Sequence, residues 1–247
     1  MIKFFRRIRF DLMEKNKTGK YLKYAIGEII LVVLGILIAL QINNWNESKK
    51  SDRVLKNYYS QILQELEKDT NYIHQRIKIL DSNILKHNNY LDNFQKQVSL
   101  EKLLISQGKH NFGVSNLNFN KNTIETLQTT GDIKLIPIEI RNKLLDLKNS
   151  QEDIIEAISI NNNLYASHLT SAINLGFEAN IFESANNKSS KLFTELGVQD
   201  NFPIIALILN GIFALEAISQ DNLTKSLNPM LDDIDNLSKL INDELKK

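Results

Sequence analysis

The feature that most constrains this chain is an apolar run over residues 25–42, in which only Glu28 and Gln41 are polar. A run of 18 residues approaches the roughly 20 that a helix needs to cross a bilayer. An apolar helix in a soluble core is usually shorter and keeps a polar stripe. The run therefore predicts a transmembrane helix over residues 24–44.

Aromatic side chains flank the run on both sides. Tyr21 and Tyr24 precede it and Trp45 follows it, which places all three as interface anchors in the aromatic belts of a membrane. A cleavable signal peptide also has a basic start and an apolar centre. Here, however, the apolar stretch is too long, and the following "LQINNWNE" offers no A-x-A-like cleavage site. We therefore expect an uncleaved signal anchor.

Charge predicts the orientation of this helix. Residues 1–24 carry eight basic and two acidic side chains, although the whole chain has a net charge of only +1. Fewer basic residues follow the run closely, namely Lys49, Lys50, Arg53 and Lys56. The positive-inside rule thus predicts a cytoplasmic N-terminus, with residues 45–247 on the other side of the membrane. A basic arm on a mildly acidic body does not suggest nucleic-acid binding.

The N-terminal arm, residues 1–23, has a helical pattern of its own. Ile2, Phe5, Ile8 and Leu12 recur at helical spacing between arginines, which is typical of a basic amphipathic helix lying on anionic membrane lipid. An ordinary positively charged flank that happens to be helical would show the same pattern. Both interpretations stay open.

Within the apolar run, Gly27, Leu31, Gly35 and Ala39 recur every four residues. Small residues at this spacing let two membrane helices approach closely, so the stripe is a candidate surface for packing against a second copy or another membrane protein. Glu28 lies beside the stripe, about one turn inside the apolar boundary. It is either an edge residue favoured by the helix dipole or a polar contact that faces a partner helix.

The remaining residues, 45–247, predict an elongated all-α domain. With 9 glycines and 3 prolines in the chain, breakers of helices are scarce. After a polar linker, apolar residues at spacings of three and four predict a helix over residues 53–98. An irregular segment over residues 107–136 follows, with one short helix from Thr123 to Thr130, capped by Asn122 and ended by Gly131.

Two further helical regions complete the predicted bundle. One helix should begin at Pro137, end near Leu175 and pack antiparallel to the first long helix. The second region contains "FPIIALILNGIFALEAI", residues 202–218, whose apolar core of about 15 residues is too short for a span and predicts a buried bundle helix. Pro229 should then begin a last amphipathic helix.

Residues suited to catalysis or metal binding do not converge in the sequence. There is no cysteine, and His74, His87, His110 and His168 are isolated, without the spacing of metal ligands on a helix. Glu65 and Asp69 are four residues apart but lack the accompanying histidine of a carboxylate metal site, so they predict a surface pair. We expect no catalytic residues, no cofactor and no metal.

Two stretches resemble one family of proteins. "GKYLKYAIGEIILVVLGILIALQINNWNE", residues 19–47, and "NTIETLQTTGDIKLIPIEIRNKLLDL", residues 122–147, are similar to a family of uncharacterised single-pass membrane proteins of Bacteroidetes. The resemblance implies an inner-membrane location and a helical periplasmic body, and it implies no activity. The family often has paired tyrosines after the second block, where this chain has "KNSQED".

Three functions are compatible with these features. The first is a non-enzymatic scaffold, assembly or sensor subunit that acts through protein partners, either further copies of the chain or another membrane protein. The second is an accessory subunit of a transport or proton-driven complex that uses Glu28. The third is a periplasmic module that binds a small ligand between bundle helices, near residues 107–136.

Overall fold

The computed structural model describes residues 10, 18–96, 99–110, 116–177, 191 and 195–246. Five α-helices contain most of these residues, and no strand occurs among the described residues. The all-α prediction is therefore confirmed. In chain order the helices are α1 (Thr18–Phe94), α2 (Leu100–Gly108), α3 (Asn122–Thr130), α4 (Ile138–Asn174) and α5 (Phe202–Leu245).

The chain divides into two compact units, residues 1–57 and 58–247, which we describe separately. In the first unit, α1 continues through the polar stretch that was predicted as a linker between two helices, so that prediction is wrong. The stretch "NNWNESKKSDR" contains polar residues but no glycine or proline. On an exposed helix such polar side chains cost at most about 0.7 kcal/mol each, which does not end it.

In the second unit, α1 buries one face with a heptad-like spacing. Its buried apolar residues include Tyr59, Ile62, Leu66, Ile73 and Leu80. These residues are spaced three and four positions apart along α1, and the same spacing places two polar residues, Asp69 and Arg76, on this face. Asp69 is completely buried, whereas the Arg76 side chain is half-buried.

The chain returns along α1 before α4 begins. Tyr72 donates a hydrogen bond to the carbonyl of Asn116, and Tyr58 donates one to Asp132, so residues 116–132 run antiparallel to α1. The α4 helix then runs parallel to α1. Gln151 of α4 donates a hydrogen bond to Asp69, and further along both helices Tyr165 and Leu80 line the same cavity. The predicted antiparallel pairing of these two helices is therefore wrong.

The α5 helix runs antiparallel to both α1 and α4. Asn201 donates to the carbonyl of Leu175, and Asn161 donates to Ser219 much further along α5. Pro229 does not begin a separate helix, contrary to prediction, but lies inside α5. Its side chain is exposed, while one buried stripe continues past it; the members of this stripe are Leu223, Leu227, Met230, Ile234, Leu237 and Ile241. Packing of this stripe outweighs the loss of one backbone hydrogen bond.

The short α3 helix has the predicted extent but not the predicted N-cap. Asn122 is its first helical residue, and Lys121 holds the cap position without a side-chain hydrogen bond. The backbone N–H of Thr123 instead donates to the carboxylate of Glu65 on α1. Gly131 ends the helix with φ at 76°, a left-handed conformation that glycine adopts without strain.

Candidate functional site

The apolar part of α1 exposes its whole circumference. Every residue from 29 to 50 is exposed, and the apolar stretch is long and hydrophobic enough to cross a membrane by length and composition. None of its 18-residue window is buried by the described chain. Burying this much apolar surface requires either lipid or another protein.

The predicted packing residues lie on this exposed helix. Leu31 is 64% exposed, Gly35 and Ala39 are also exposed, and a Cβ atom added to Gly27 or Gly35 would meet no atom within 4 Å. Glu28 is half-buried. The stripe is therefore open to a close helix–helix contact, and its occupation by a partner stays a prediction.

Of the predicted interface anchors, the structure describes the side chain of Trp45. It is 64% exposed, and the Lys49 ammonium lies 5.6 Å from the centre of its ring. Tyr21 and Tyr24 lie within α1, but their side chains are outside the described residues. Residues 1–9 and 11–17 of the predicted amphipathic arm are also outside the described residues.

A second apolar stretch lies at the start of α5. It is also long and apolar enough to cross a membrane, but 28% of its 18-residue window is buried inside the structure. It packs with α2 and with the end of α4 in one hydrophobic cluster. The buried members of this cluster are Leu104, Tyr165, Ala172, Phe177, Ile205, Ala206, Leu209 and Ile212. These contacts favour a bundle helix over a second span.

The carboxylates of Glu65 and Asp69 hold the irregular segment against α1. Asp69 accepts hydrogen bonds from the backbone N–H of Asn120 at 2.9 Å, from its side-chain amide at 2.6 Å and from Gln151 at 3.0 Å. Glu65 accepts from the N–H of Thr123 at 3.2 Å. The prediction of an exposed carboxylate pair is therefore wrong. Burial raises the pKa of Asp69, although its three hydrogen-bond donors act in the opposite direction.

A second polar cluster links α1, α2 and α5. The side-chain amide of Gln107 donates to the hydroxyl of Tyr90 at 2.9 Å and to the carbonyl of Ala206 at 3.2 Å. Tyr90 in turn donates to Asn210 at 3.3 Å, and its ring contacts Phe213. This cluster explains how an apolar helix tolerates Asn210 in its centre: the amide oxygen accepts a hydrogen bond from the hydroxyl of half-buried Tyr90.

Beside this cluster, His110 and Glu216 meet across the bundle. The His110 Nε2 atom lies 2.9 Å from one carboxylate oxygen of Glu216, and Gln220 donates to the other oxygen at 3.1 Å. A cavity of about 30 Å³ is lined by these residues together with His87 and Tyr90. Burial lowers the pKa of His87, which keeps this imidazole neutral at pH 7.

A larger cavity of about 60 Å³ lies between α1, α4 and α5. Glu216 and Gln220 line both cavities, so one carboxylate borders the two spaces. Leu80, Ile158 and Leu223 are among the apolar residues that line the larger cavity.

The structure thus brings together two of the four histidines that were predicted to be isolated. His87 and His110 line one cavity with Glu216, while His74 and His168 are exposed. The part of the chain that the structure describes contains no group of three ligands placed to hold a metal ion. His110 and Glu216 are 106 residues apart, so local spacing in the sequence gives no signal of their contact.

Comparison with protein-family models, curated proteins and solved structures finds no match to this chain.

Proposed function

We propose that this chain is a single-pass inner-membrane protein that serves as a non-enzymatic scaffold, assembly or sensor subunit. Its N-terminus lies in the cytoplasm, residues 24–44 cross the membrane, and the helical body lies in the periplasm. The observation that carries the proposal is the exposure of the apolar part of α1 on all sides, with no residue of its span buried by the described chain. The excess of basic residues before the span supports the orientation.

The stripe of Gly27, Leu31, Gly35 and Ala39 supports partnership within the membrane. An added Cβ at Gly27 or Gly35 has open space around it, so the backbone of a second helix can approach closely there. The partner is a second copy of this chain or another membrane protein.

Photocrosslinking in native membranes tests this proposal. A photoreactive amino acid at Gly35 should crosslink to protein, whereas the same group at Leu37 should crosslink mainly to lipid, because residue 37 lies on the opposite side of the helix. The crosslinked mass separates a homodimer from a complex with another protein. Protein crosslinks of equal yield from both positions, or none from either, would contradict the proposal.

An accessory subunit that uses the Glu28 carboxyl is the second candidate, because Glu28 is half-buried although the residues after it are exposed. Glu28→Gln keeps the shape of the side chain and removes its charge. If the carboxyl acts in the contact, we expect at least a tenfold lower crosslinking yield from position 35. An unchanged yield would leave Glu28 as an edge residue near the helix N-terminus. Leu22→Gln, at an exposed position before the span, is the matched control.

A further inference from the structure

Basic side chains line one face of α1 just after the apolar run. Lys49, Arg53 and Lys56 are all exposed, and their spacings of four and three residues place them in line with Trp45, within roughly a quarter of the helix circumference. The Lys49 ammonium lies 5.6 Å from the centre of the Trp45 ring, so the lower end of this line is held together by a cation–π contact. We call Trp45, Lys49, Arg53 and Lys56 the basic stripe.

The cations of the basic stripe have no carboxylate partner in the described part of the chain. Asp52 lies on the same face, four residues before Lys56, yet none of the ion pairs among the described residues includes either side chain. The same acid-to-lysine spacing on α5 does form a pair, between Asp221 and Lys225 at 2.6 Å. Three cations and one carboxylate give this face of α1 a net charge of +2, which is available to an anion outside the chain.

The position of the basic stripe points to lipid as the source of that anion, and this step rests on the proposed membrane span. With Trp45 at the membrane boundary, Lys49 lies about 6 Å and Arg53 about 12 Å further along the helix axis. The headgroup layer on each side of a bilayer is roughly 5–8 Å thick. Side chains of a helix tilt toward its N-terminus, which for residues after the span is toward the membrane. The long side chains of Lys49 and Arg53 therefore reach the depth of the headgroup phosphates.

We propose that the basic stripe binds an anionic phospholipid in the leaflet next to residue 45. The Arg53 guanidinium donates two parallel hydrogen bonds to oxygens of the lipid phosphate, and the Lys49 ammonium contacts the same headgroup as a point charge. A zwitterionic lipid carries the same phosphate, but its own ammonium group cancels the charge, so the stripe selects lipids with a net negative headgroup. Asp52 repels such a headgroup and weakens the binding.

Trp45 gives a local test, because it is the one tryptophan in the chain and its fluorescence reports the lipids that surround this position. The full chain is reconstituted in vesicles of phosphatidylglycerol and phosphatidylcholine in equal amounts, with bromine on the acyl chains of one lipid or of the other. Bromine quenches a tryptophan that it contacts. At low salt, phosphatidylglycerol should be preferred over phosphatidylcholine by about three- to fivefold, since one cation near an anionic surface contributes a factor of about five. In 1 M NaCl, where the Debye length is about 3 Å, the preference should disappear.

Two variants of the same face should change this preference in opposite directions. Lys49→Gln removes an attractive charge and should lower the preference at least about twofold, whereas Asp52→Asn removes the repulsive charge and should raise it by a similar factor. Lys50→Gln is the matched control, because Lys50 lies at nearly the same depth but about 140° around the helix from Trp45. Its effect should be less than half that of Lys49→Gln. A lower preference in Asp52→Asn, or equal effects of Lys49→Gln and Lys50→Gln, would overturn the proposal.

The same measurement separates this inference from the proposed span. Equal quenching by the two brominated lipids at low salt would overturn the lipid preference and leave the span intact, whereas no quenching by either lipid would contradict the span as well. Sodium phosphate should reduce the preference no more than NaCl of equal ionic strength does. A stronger reduction by phosphate would assign these cations to free phosphate and overturn the assignment of lipid.

Discussion

Replacing Asp69 by alanine should lower the Tm of the helical body by roughly 8–15 °C. Asp69 is completely buried and accepts hydrogen bonds from the backbone and side chain of Asn120 and from Gln151. Alanine leaves these donors without an acceptor inside the protein. Each unpaired group costs about 1–3 kcal/mol, so the free energy of unfolding should fall by about 3–5 kcal/mol. Thermal unfolding monitored by circular dichroism measures this change.

The loss should also have a local signature. Asn120 and Thr123 are attached to α1 through Asp69 and Glu65, so the amides of residues 116–124 should exchange their hydrogens faster in Asp69→Ala than in the parent. Asp69→Asn keeps one acceptor and should cost less than half as much as the alanine variant. A Tm within about 2 °C of the parent for Asp69→Ala would show that this network contributes little.

Two controls isolate the effect. Asp81 is an exposed carboxylate on the same helix, so Asp81→Ala should change the Tm by less than about 2 °C. Arg76 lies on the buried face of α1, as Asp69 does, but its Nε and Nη2 atoms are buried without a partner in the described chain. Arg76→Met removes this desolvated group and should leave the protein at least as stable as the parent.

The pH dependence of Asp69 has a definite sign. Burial raises the pKa of this carboxyl above its ordinary value of 3.8, so the folded state binds its proton more tightly than the unfolded state does. The charged form therefore carries a cost above the folded-state pKa. This cost decreases as the pH falls through the folded-state pKa and disappears below the ordinary value. Protonation of Asp69 does not drive acid unfolding.

Placing two arginines in the apolar part of α1 should abolish stable membrane insertion. Leu34 and Ile38 are 52% and 60% exposed in the described structure, and both lie near the centre of the span. Each arginine at that depth costs about 2.5–3.5 kcal/mol on insertion scales. After extraction with carbonate, the parent should remain in the membrane pellet, whereas the double variant Leu34→Arg and Ile38→Arg should appear in the supernatant.

The matched control places the same two arginines on an exposed polar surface. Asn71 and Asn88 are exposed on α1 in the second unit, so Asn71→Arg with Asn88→Arg should leave membrane retention unchanged. Retention of the Leu34 and Ile38 variant in the pellet at the level of the parent would contradict insertion of residues 24–44.

Helical periodicity predicted much of the fold. The apolar residues at spacings of three and four, such as Ile62, Leu66 and Ile73, are indeed buried. Two predicted helix ends were wrong. The polar residues after the apolar run do not end α1, and the exposed Pro229 does not interrupt α5, because its buried apolar stripe continues past the proline. The direction of α4 was wrong because residues 116–132 return along α1, and no periodicity encodes that return.

The polar groups in the bundle were predicted less well. Asp69 interrupts the apolar stripe of α1, and the sequence pattern is the same whether its carboxylate is solvated or buried. The carboxylate is buried because Asn120 and Gln151 donate hydrogen bonds to it. The contact of His110 with Glu216 joins residues 106 positions apart. Clusters of this kind depend on the packing of three helices, so a search for ligand spacing on one helix cannot find them.

Site-directed labelling is the most direct test of a single span with the helical body outside. The chain has no cysteine, so one introduced cysteine reports one position. With a membrane-impermeant maleimide, Asn236→Cys on the exposed face of α5 should react in spheroplasts, and Lys15→Cys should react only after lysis. If the apolar start of α5 crossed the membrane as well, residue 236 would lie on the same side as residue 15. Protection of Asn236→Cys until lysis, or labelling of Lys15→Cys in intact spheroplasts, would contradict the account.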